Sequence, residues 1–129
     1  MKKDITTLED IKTMVNSFYS QVRENELIGP IFDEVIRDRW GVHLEKMYTF
    51  WQTILFDEHT YFGSPFPPHA KLPVSAIHFE QWVTIFNQNM DNLFEGPKAD
   101  EAKWRAEKMA QMFQIKIEHI QQSGLKNLV

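Results

Sequence analysis

The chain has 129 residues, enough for one hydrophobic core, and we expect residues 1–129 to form a single domain. It contains no cysteine, which excludes disulfides, iron–sulfur clusters and thiolate zinc sites. A net charge of −4 with both signs interspersed argues against a nucleic-acid partner. The sequence shows neither an apolar run long enough to span a membrane nor a signal-peptide core after Met1, so we expect a cytoplasmic protein.

The first half of the chain has helical periodicity. Thr6 and Glu9 have the spacing of a capping box, which predicts the start of a first helix with an apolar stripe over residues 8–22. Gly29-Pro30 interrupts this stripe, and we expect Ile31-Phe32 to form a short turn or a one-turn helix. A second helix is predicted from about residue 38 to 57, with its apolar stripe at Trp40, His43, Met47, Phe50, Trp51 and Ile54.

The second half has the same periodicity. Ser75 is a plausible N-cap for a third helix, with an apolar stripe over residues 79–93. Gly96-Pro97 separates it from a fourth helix that we expect to end at Gly124. Because no segment alternates with a period of two, the sequence predicts an all-α fold with four substantial helices and one irregular loop about halfway along.

His69 lies in that irregular loop, between Tyr61 and Pro73. Four of the six prolines of the chain fall in these thirteen residues, so regular helix there is limited to about one turn. A stiff segment can present one imidazole nitrogen at a fixed angle, as an axial ligand to the metal of a flat cofactor requires. An exposed loop histidine is the alternative interpretation of the same residue.

Three polar side chains lie on otherwise apolar helical stripes: Tyr19, His43 and Trp82. Each alone is explained as a core residue with a hydrogen-bonding neighbour. Together they suit a small polar ligand on iron, because a phenol, an imidazole and an indole can all donate hydrogen bonds to it. His69 would then be the iron ligand, and apolar side chains are available as walls at Met47, Phe50, Trp51, Phe66, Phe86, Met112 and Phe113.

Several motifs, in order and nearly evenly spaced, resemble the truncated haemoglobins of group III. The resemblance covers roughly residues 5 to 120 and rests on Phe18-Tyr19-Ser20-Gln21-Val22-Arg23, Leu27-Ile28-Gly29-Pro30-Ile31-Phe32, Trp40-Gly41-Val42-His43, Phe50-Trp51, Pro68-His69-Ala70-Lys71-Leu72-Pro73 and Phe79-Glu80-Gln81-Trp82. The chain also lacks the paired glycine motifs of the other truncated globins, as members of this group do.

This resemblance implies a shortened two-over-two globin fold around haem b. It further implies that His69 is the proximal ligand, that Tyr19 is the main distal donor, and that His43 and Trp82 complete the distal side. Lys71 is a candidate partner for a haem propionate, although a solvated lysine is as good an interpretation. We expect a monomer or weak dimer that binds dioxygen or another diatomic gas and that needs an unidentified reductase for any redox cycle.

Other functions remain open at this stage. Nitric oxide dioxygenation and peroxidase-like chemistry are both compatible with the predicted pocket, as is simple oxygen carriage. A helical non-haem protein could use His43, His69 and His119 to bind zinc or nickel, but the chain has no His-x-x-x-His or Glu-x-x-His pair where a bundle site needs one. A haem-free helical interaction protein is the third alternative.

Overall fold

The structure is a computed structural model that describes residues 2–61 and 72–127, with side chains up to residue 122. Five helices follow one another in these residues: α1 (Leu8–Glu24), α2 (Gly29–Ile36), α3 (Trp40–Phe56), α4 (Ala76–Leu93) and α5 (Pro97–Asn127). The described ranges contain no strand. The predicted all-α fold is therefore confirmed.

The capping box of α1 lies one residue later than predicted. The hydroxyl of Thr7 accepts from the backbone N–H of Asp10, and the Asp10 carboxylate accepts from the backbone N–H groups of Thr6 and Thr7, at 2.9 and 3.1 Å. Glu9, the predicted partner, is exposed. The Thr6–Glu9 assignment is wrong because the shorter Asp10 side chain reaches the same backbone groups from the next position.

Two helices are longer than the sequence predicted. The segment after Gly29 forms the eight residues of α2 rather than one turn, since Pro30 lies in the first turn, where its fixed φ suits a helix and its missing N–H is not needed. Helix α5 continues through Gly124 to Asn127. A glycine costs a helix about 1 kcal/mol, which weakens the last turns without ending them.

The helices pack as two pairs. Helix α1 packs on α3, and α4 packs on α5, while α1 also crosses α4 and joins the two pairs. On α5 the buried face carries small side chains, which let the α4 and α5 backbones approach closely: Ala99, Ala102, Ala106 and Ala110. No helix in residues 2–61 or 72–127 has the length and apolarity needed to cross a membrane.

Candidate functional site

All five helices contribute side chains to one apolar cavity between the two pairs. The helix residues that line it include Phe18, Tyr19, Phe32, Ile36, His43, Met47, Phe50, Trp51, His78, Trp82, Phe86, Met109 and Phe113. The lining formed by described residues includes no Asp, Glu, Lys or Arg. The cavity therefore suits a largely apolar occupant.

Tyr19 projects from α1 toward this cavity and is 7% exposed. No described residue accepts a hydrogen bond from its hydroxyl, although a buried hydroxyl normally has a partner. Burial raises the pKa of the Tyr19 phenol well above its ordinary value. The phenol therefore stays protonated at physiological pH and is available as a hydrogen-bond donor to an occupant of the cavity.

His43 lies against Tyr19 in the first turn of α3. The two rings meet edge to face with centroids 5.0 Å apart, and the Trp40 ring lies 5.8 Å from each of them. Trp40 is itself fixed, because its indole N–H donates to Asp33 at 3.2 Å and the Arg23 guanidinium lies over its ring at 4.5 Å. This arrangement restricts the orientation of the phenol and the imidazole.

Trp82 reaches the cavity from α4. Its indole stacks on Phe86, with centroids 5.7 Å apart and planes at 17°, and the edge of Phe18 meets it at 5.5 Å. Within the described part of the chain, the indole N–H has no hydrogen-bond acceptor. Trp82 thus offers a second donor, held in place by two aromatic rings.

The predicted walls are largely assembled in this cavity. Met47, Phe50, Trp51 and Phe86 all line it, and Trp51 stacks on Phe86 with centroids 5.3 Å apart. Together with the three polar residues above, these are the predicted site residues that the structure brings together.

Met112 is placed elsewhere. It is 48% exposed and lines a separate surface groove that also contains Trp104 and Lys108. Three residues of α5 line the main cavity: Met109, Ala110 and Phe113. The apolar stripe of α5 therefore faces the cavity through these positions rather than through Met112.

Three predicted site residues, Phe66, His69 and Lys71, lie outside the described residues. Leu72 and Val74, which follow them directly, do line the cavity. The assignments of His69 as the iron ligand and of Phe66 and Lys71 as cofactor contacts stay predictions.

Sequence reasoning missed part of the lining. Phe32 and Ile36 of α2 line the cavity, and their four-residue spacing from Ile28, which also lines it, was the available signal. His78 also lines the cavity, and its Nδ1 accepts a hydrogen bond from the backbone N–H of Ser75 at 2.9 Å. It therefore completes the capping box at the start of α4.

The alternative of a helical non-haem metal protein requires a cluster of metal-ligating side chains. In the described ranges, no three His, Asp or Glu side chains come close enough together to hold a metal ion. His69 lies outside those ranges, so the alternative site with His43 and His119 is not tested by this observation.

Two crossed helix pairs enclosing an aromatic cavity define a globin-like fold in its shortened, two-over-two form. The model of the bacterial-like globins matches residues 3–118. The chain belongs to this family. It is 30% identical over 118 residues to the group 3 truncated hemoglobin ctb of Campylobacter jejuni, covering 88% of this chain and 93% of that protein.

A solved structure agrees with this assignment. The crystal structure of the group III truncated hemoglobin from Campylobacter jejuni superposes with a TM-score of 0.81 at 29% identity, over 91% of this chain and 95% of that one. The resemblance to the truncated haemoglobins of group III is thereby confirmed.

Membership of the globin family implies haem binding, and the cavity fits such a group. Its walls are flat aromatic and aliphatic side chains, as a porphyrin requires. Tyr19 and Trp82 bring to it two donors that no described residue uses. Met47, Phe50, Trp51 and Phe86, the predicted cofactor contacts among the described residues, line this cavity, and their contact with haem stays a prediction.

Proposed function

We propose that the protein holds haem b in this cavity and binds dioxygen tightly, with slow release. Haem would supply an iron that binds a diatomic gas, and His69 is the proposed protein ligand of that iron. The observation that carries the proposal is the buried Tyr19 hydroxyl, which faces the cavity and has no hydrogen-bond acceptor among the described residues.

The polar side chains would retain the gas by donating hydrogen bonds to it. The Tyr19 hydroxyl keeps its proton because burial raises the pKa of the phenol. The Trp82 N–H cannot accept and can only donate. His43, at the side of Tyr19, adds a third group that can donate. A hydrogen bond to an acceptor that carries negative charge contributes about 1.5–3 kcal/mol, so each strong donor slows release considerably.

The apolar walls add to this effect. Four rings, Phe18, Phe86, Trp51 and Phe50, follow one another in edge-to-face or stacked contact. Phe18 meets both Tyr19 and Trp82, and Phe86 stacks on Trp82. Apolar rings offer no hydrogen-bond acceptor that would compete with the bound gas, and they exclude water. A hydrogen bond from a donor to the gas is electrostatically stronger in such surroundings than in water. The apolar walls therefore strengthen the hydrogen bonds from the donors to a ligand in the cavity.

Tight retention favours redox conversion or detoxification over delivery. A carrier needs release on the time scale of its transport, whereas two or three donors at one ligand oppose release. We propose that the protein works together with a reductase of unidentified nature, with nitric oxide dioxygenation and peroxidase-like activity both compatible with the site. If the donors have little effect on release, simple oxygen carriage is the better description.

Two measurements test the proposal. The absorption spectrum of the purified, haem-reconstituted protein is expected to show a Soret band, and its absence would remove haem from the proposal. Stopped-flow mixing of the oxygenated ferrous protein with excess carbon monoxide then gives the oxygen dissociation rate. We expect slow release, and fast release with an affinity as weak as that of a transport globin would overturn the proposed function.

A further inference from the structure

Asn89 is the one amide among the buried side chains of the described residues, which include no charged group, and its exposure is 1%. It lies on α4, seven residues after Trp82. Burying an amide is costly unless its donors and acceptors are paired. A buried amide at this position therefore needs an explanation, whereas an apolar side chain there would need none.

The hydrogen bonds of the Asn89 amide with described residues all go to α1. Its Oδ1 accepts from the Ser17 hydroxyl at 2.7 Å and from the Gln21 side chain at 2.8 Å, and its Nδ2 donates to the backbone carbonyl of Met14 at 3.0 Å. A backbone carbonyl can only accept, so the orientation of the amide is fixed by its partners. We call these four residues the Asn89 cluster.

The Asn89 cluster belongs to the same interface as the distal donors. On α4, Trp82, Phe86 and Asn89 share one face, with Asn89 about 10 Å along the helix from Trp82. On α1, the partners of Asn89 span residues 14–21, and between them Phe18 meets Trp82 at 5.5 Å and Phe86 at 5.2 Å. Tyr19 is the next residue of α1.

We propose that Asn89 is a positioning residue for the ligand site: its amide fixes the register of α1 on α4, and with it the placement of the Tyr19 hydroxyl relative to the Trp82 indole. This inference rests on the proposed function, in which both groups donate to one bound gas. Asn89 itself lies outside the residues that line the cavity.

Hydrogen bonds can set this register where apolar contacts cannot. Burial of the Phe18, Trp82 and Phe86 rings is favourable at many small displacements, because the hydrophobic effect has no direction. A hydrogen bond weakens steeply with angle and distance. A slide or rotation of α1 on α4 would disturb three such bonds at once, so the Asn89 cluster selects one arrangement among several apolar ones.

The decisive variant is Asn89→Leu, which keeps the approximate size of the side chain and removes the amide. Ser17 and Gln21 are only partly buried, so water can replace their lost partner, and we expect the variant to fold. Asn87→Leu is the control, because Asn87 is a partly buried amide of the same helix whose Oδ1 accepts no hydrogen bond from any described residue.

Two measurements on the haem-loaded protein with bound carbon monoxide test the proposal. Nuclear Overhauser contacts between the Phe18 and Trp82 rings report the register directly, and the infrared C–O stretching band reports hydrogen bonding to the ligand. In Asn89→Leu we expect weaker ring contacts and a band that splits or shifts toward that of Tyr19→Phe. Oxygen dissociation should accelerate roughly two- to tenfold, as loss of one ordinary hydrogen bond would allow.

Unchanged ring contacts and an unchanged C–O band in Asn89→Leu would overturn the inference, as would equal changes in Asn87→Leu. If Asn89→Leu fails to fold, the Ser17→Ala/Gln21→Ala double variant takes the same test with the same expected direction. A C–O band that does not respond to Tyr19→Phe would instead contradict the proposed function. The two failures are therefore distinguishable.

Discussion

The phenol ring of Tyr19 meets the imidazole of His43 edge to face, with centroids 5.0 Å apart and planes at 85°. The first ring belongs to α1 and the second to α3, so their contact depends on how these helices pack. A second contact between the same helices is the hydrogen bond that the Tyr48 hydroxyl of α3 donates to the Asn16 side chain of α1. These contacts restrict the orientation of the phenol without any ligand, which is the preorganisation that the proposed role of Tyr19 as a donor requires.

The first prediction concerns the loss of this donor. Tyr19→Phe keeps the ring contacts and removes the hydroxyl, so we expect oxygen to dissociate roughly ten- to a hundredfold faster in stopped-flow measurements. Tyr48→Phe is the control, since its hydroxyl bonds Asn16 and Tyr48 does not line the cavity. Rates within twofold of the parent for Tyr19→Phe would refute its role as the main donor.

The second prediction ranks the other distal donor. Trp82→Phe preserves an aromatic ring against Phe86 but removes the N–H, and we expect oxygen to dissociate roughly two- to tenfold faster, a smaller change than for Tyr19→Phe. Trp104→Phe is the matched control because this indole is 57% exposed and lies outside the cavity. A larger effect for Trp82→Phe than for Tyr19→Phe would reverse the ranking.

The helices and the central polar residues could be predicted from the sequence because they depend on local patterns. Apolar spacing placed Tyr19, His43 and Trp82 on inner faces, and the structure confirms that all three line one cavity. Helix ends were less predictable. Thr6 and Thr7 are equivalent candidates for an N-cap, and the choice depends on whether Glu9 or Asp10 reaches back to the backbone.

Contacts between helices could not be predicted from spacing alone. Helical spacing puts Asn89 on the face of Trp82 and Phe86, but it does not show that the amide bonds three groups of α1. By contrast, the Oδ1 of Asn87 accepts no hydrogen bond from any described residue. Met112 and Met109 likewise occupy the same predicted stripe, and only the packing angle of α5 decides that Met109 lines the cavity while Met112 is exposed.

The third prediction tests the close approach of α2 to α1. A Cβ at Gly29 would lie 2.8 Å from the carbonyl oxygen of Arg23 and 2.9 Å from that of Val22, and backbone cannot move aside cheaply. We expect Gly29→Ala to lower the free energy of unfolding by about 1–3 kcal/mol, measured by urea denaturation. Gly41→Ala is the control, as nothing lies within 4 Å of the added Cβ, and should stabilise by up to about 1 kcal/mol. Equal stability of Gly29→Ala and the parent would contradict the argument.

The fourth prediction concerns pH. Burial of the Asp4 carboxylate raises its pKa, but hydrogen bonds from the backbone N–H groups of Lys98 and Ala99, both at 2.9 Å, outweigh this and hold the pKa below its ordinary value of 3.8. Because the folded pKa is the lower one, the stabilisation is present above about pH 4 and is lost as the pH falls through the folded pKa.

Asp4→Ala should therefore lower the free energy of unfolding by about 1 kcal/mol at neutral pH, as loss of a helix cap does. The difference from the parent should shrink in urea titrations carried out at progressively lower pH. Asp38→Ala, an exposed carboxylate that forms no hydrogen bond or ion pair with any described residue, is the control. A difference that grows toward low pH would show the sign to be wrong.

The fifth prediction concerns His69, in the proline-rich segment from Tyr61 to Pro73. A single neutral imidazole is the usual proximal ligand of a globin haem, and His69 is the histidine that the sequence constrains most. We expect His69→Ala to lose haem on gel filtration and to regain it in the presence of imidazole, which can occupy the space left by the side chain. His59→Ala is the control because His59 is exposed, and it should retain haem fully. A His69→Ala protein with the Soret spectrum and haem affinity of the parent would rule out this residue as the iron ligand.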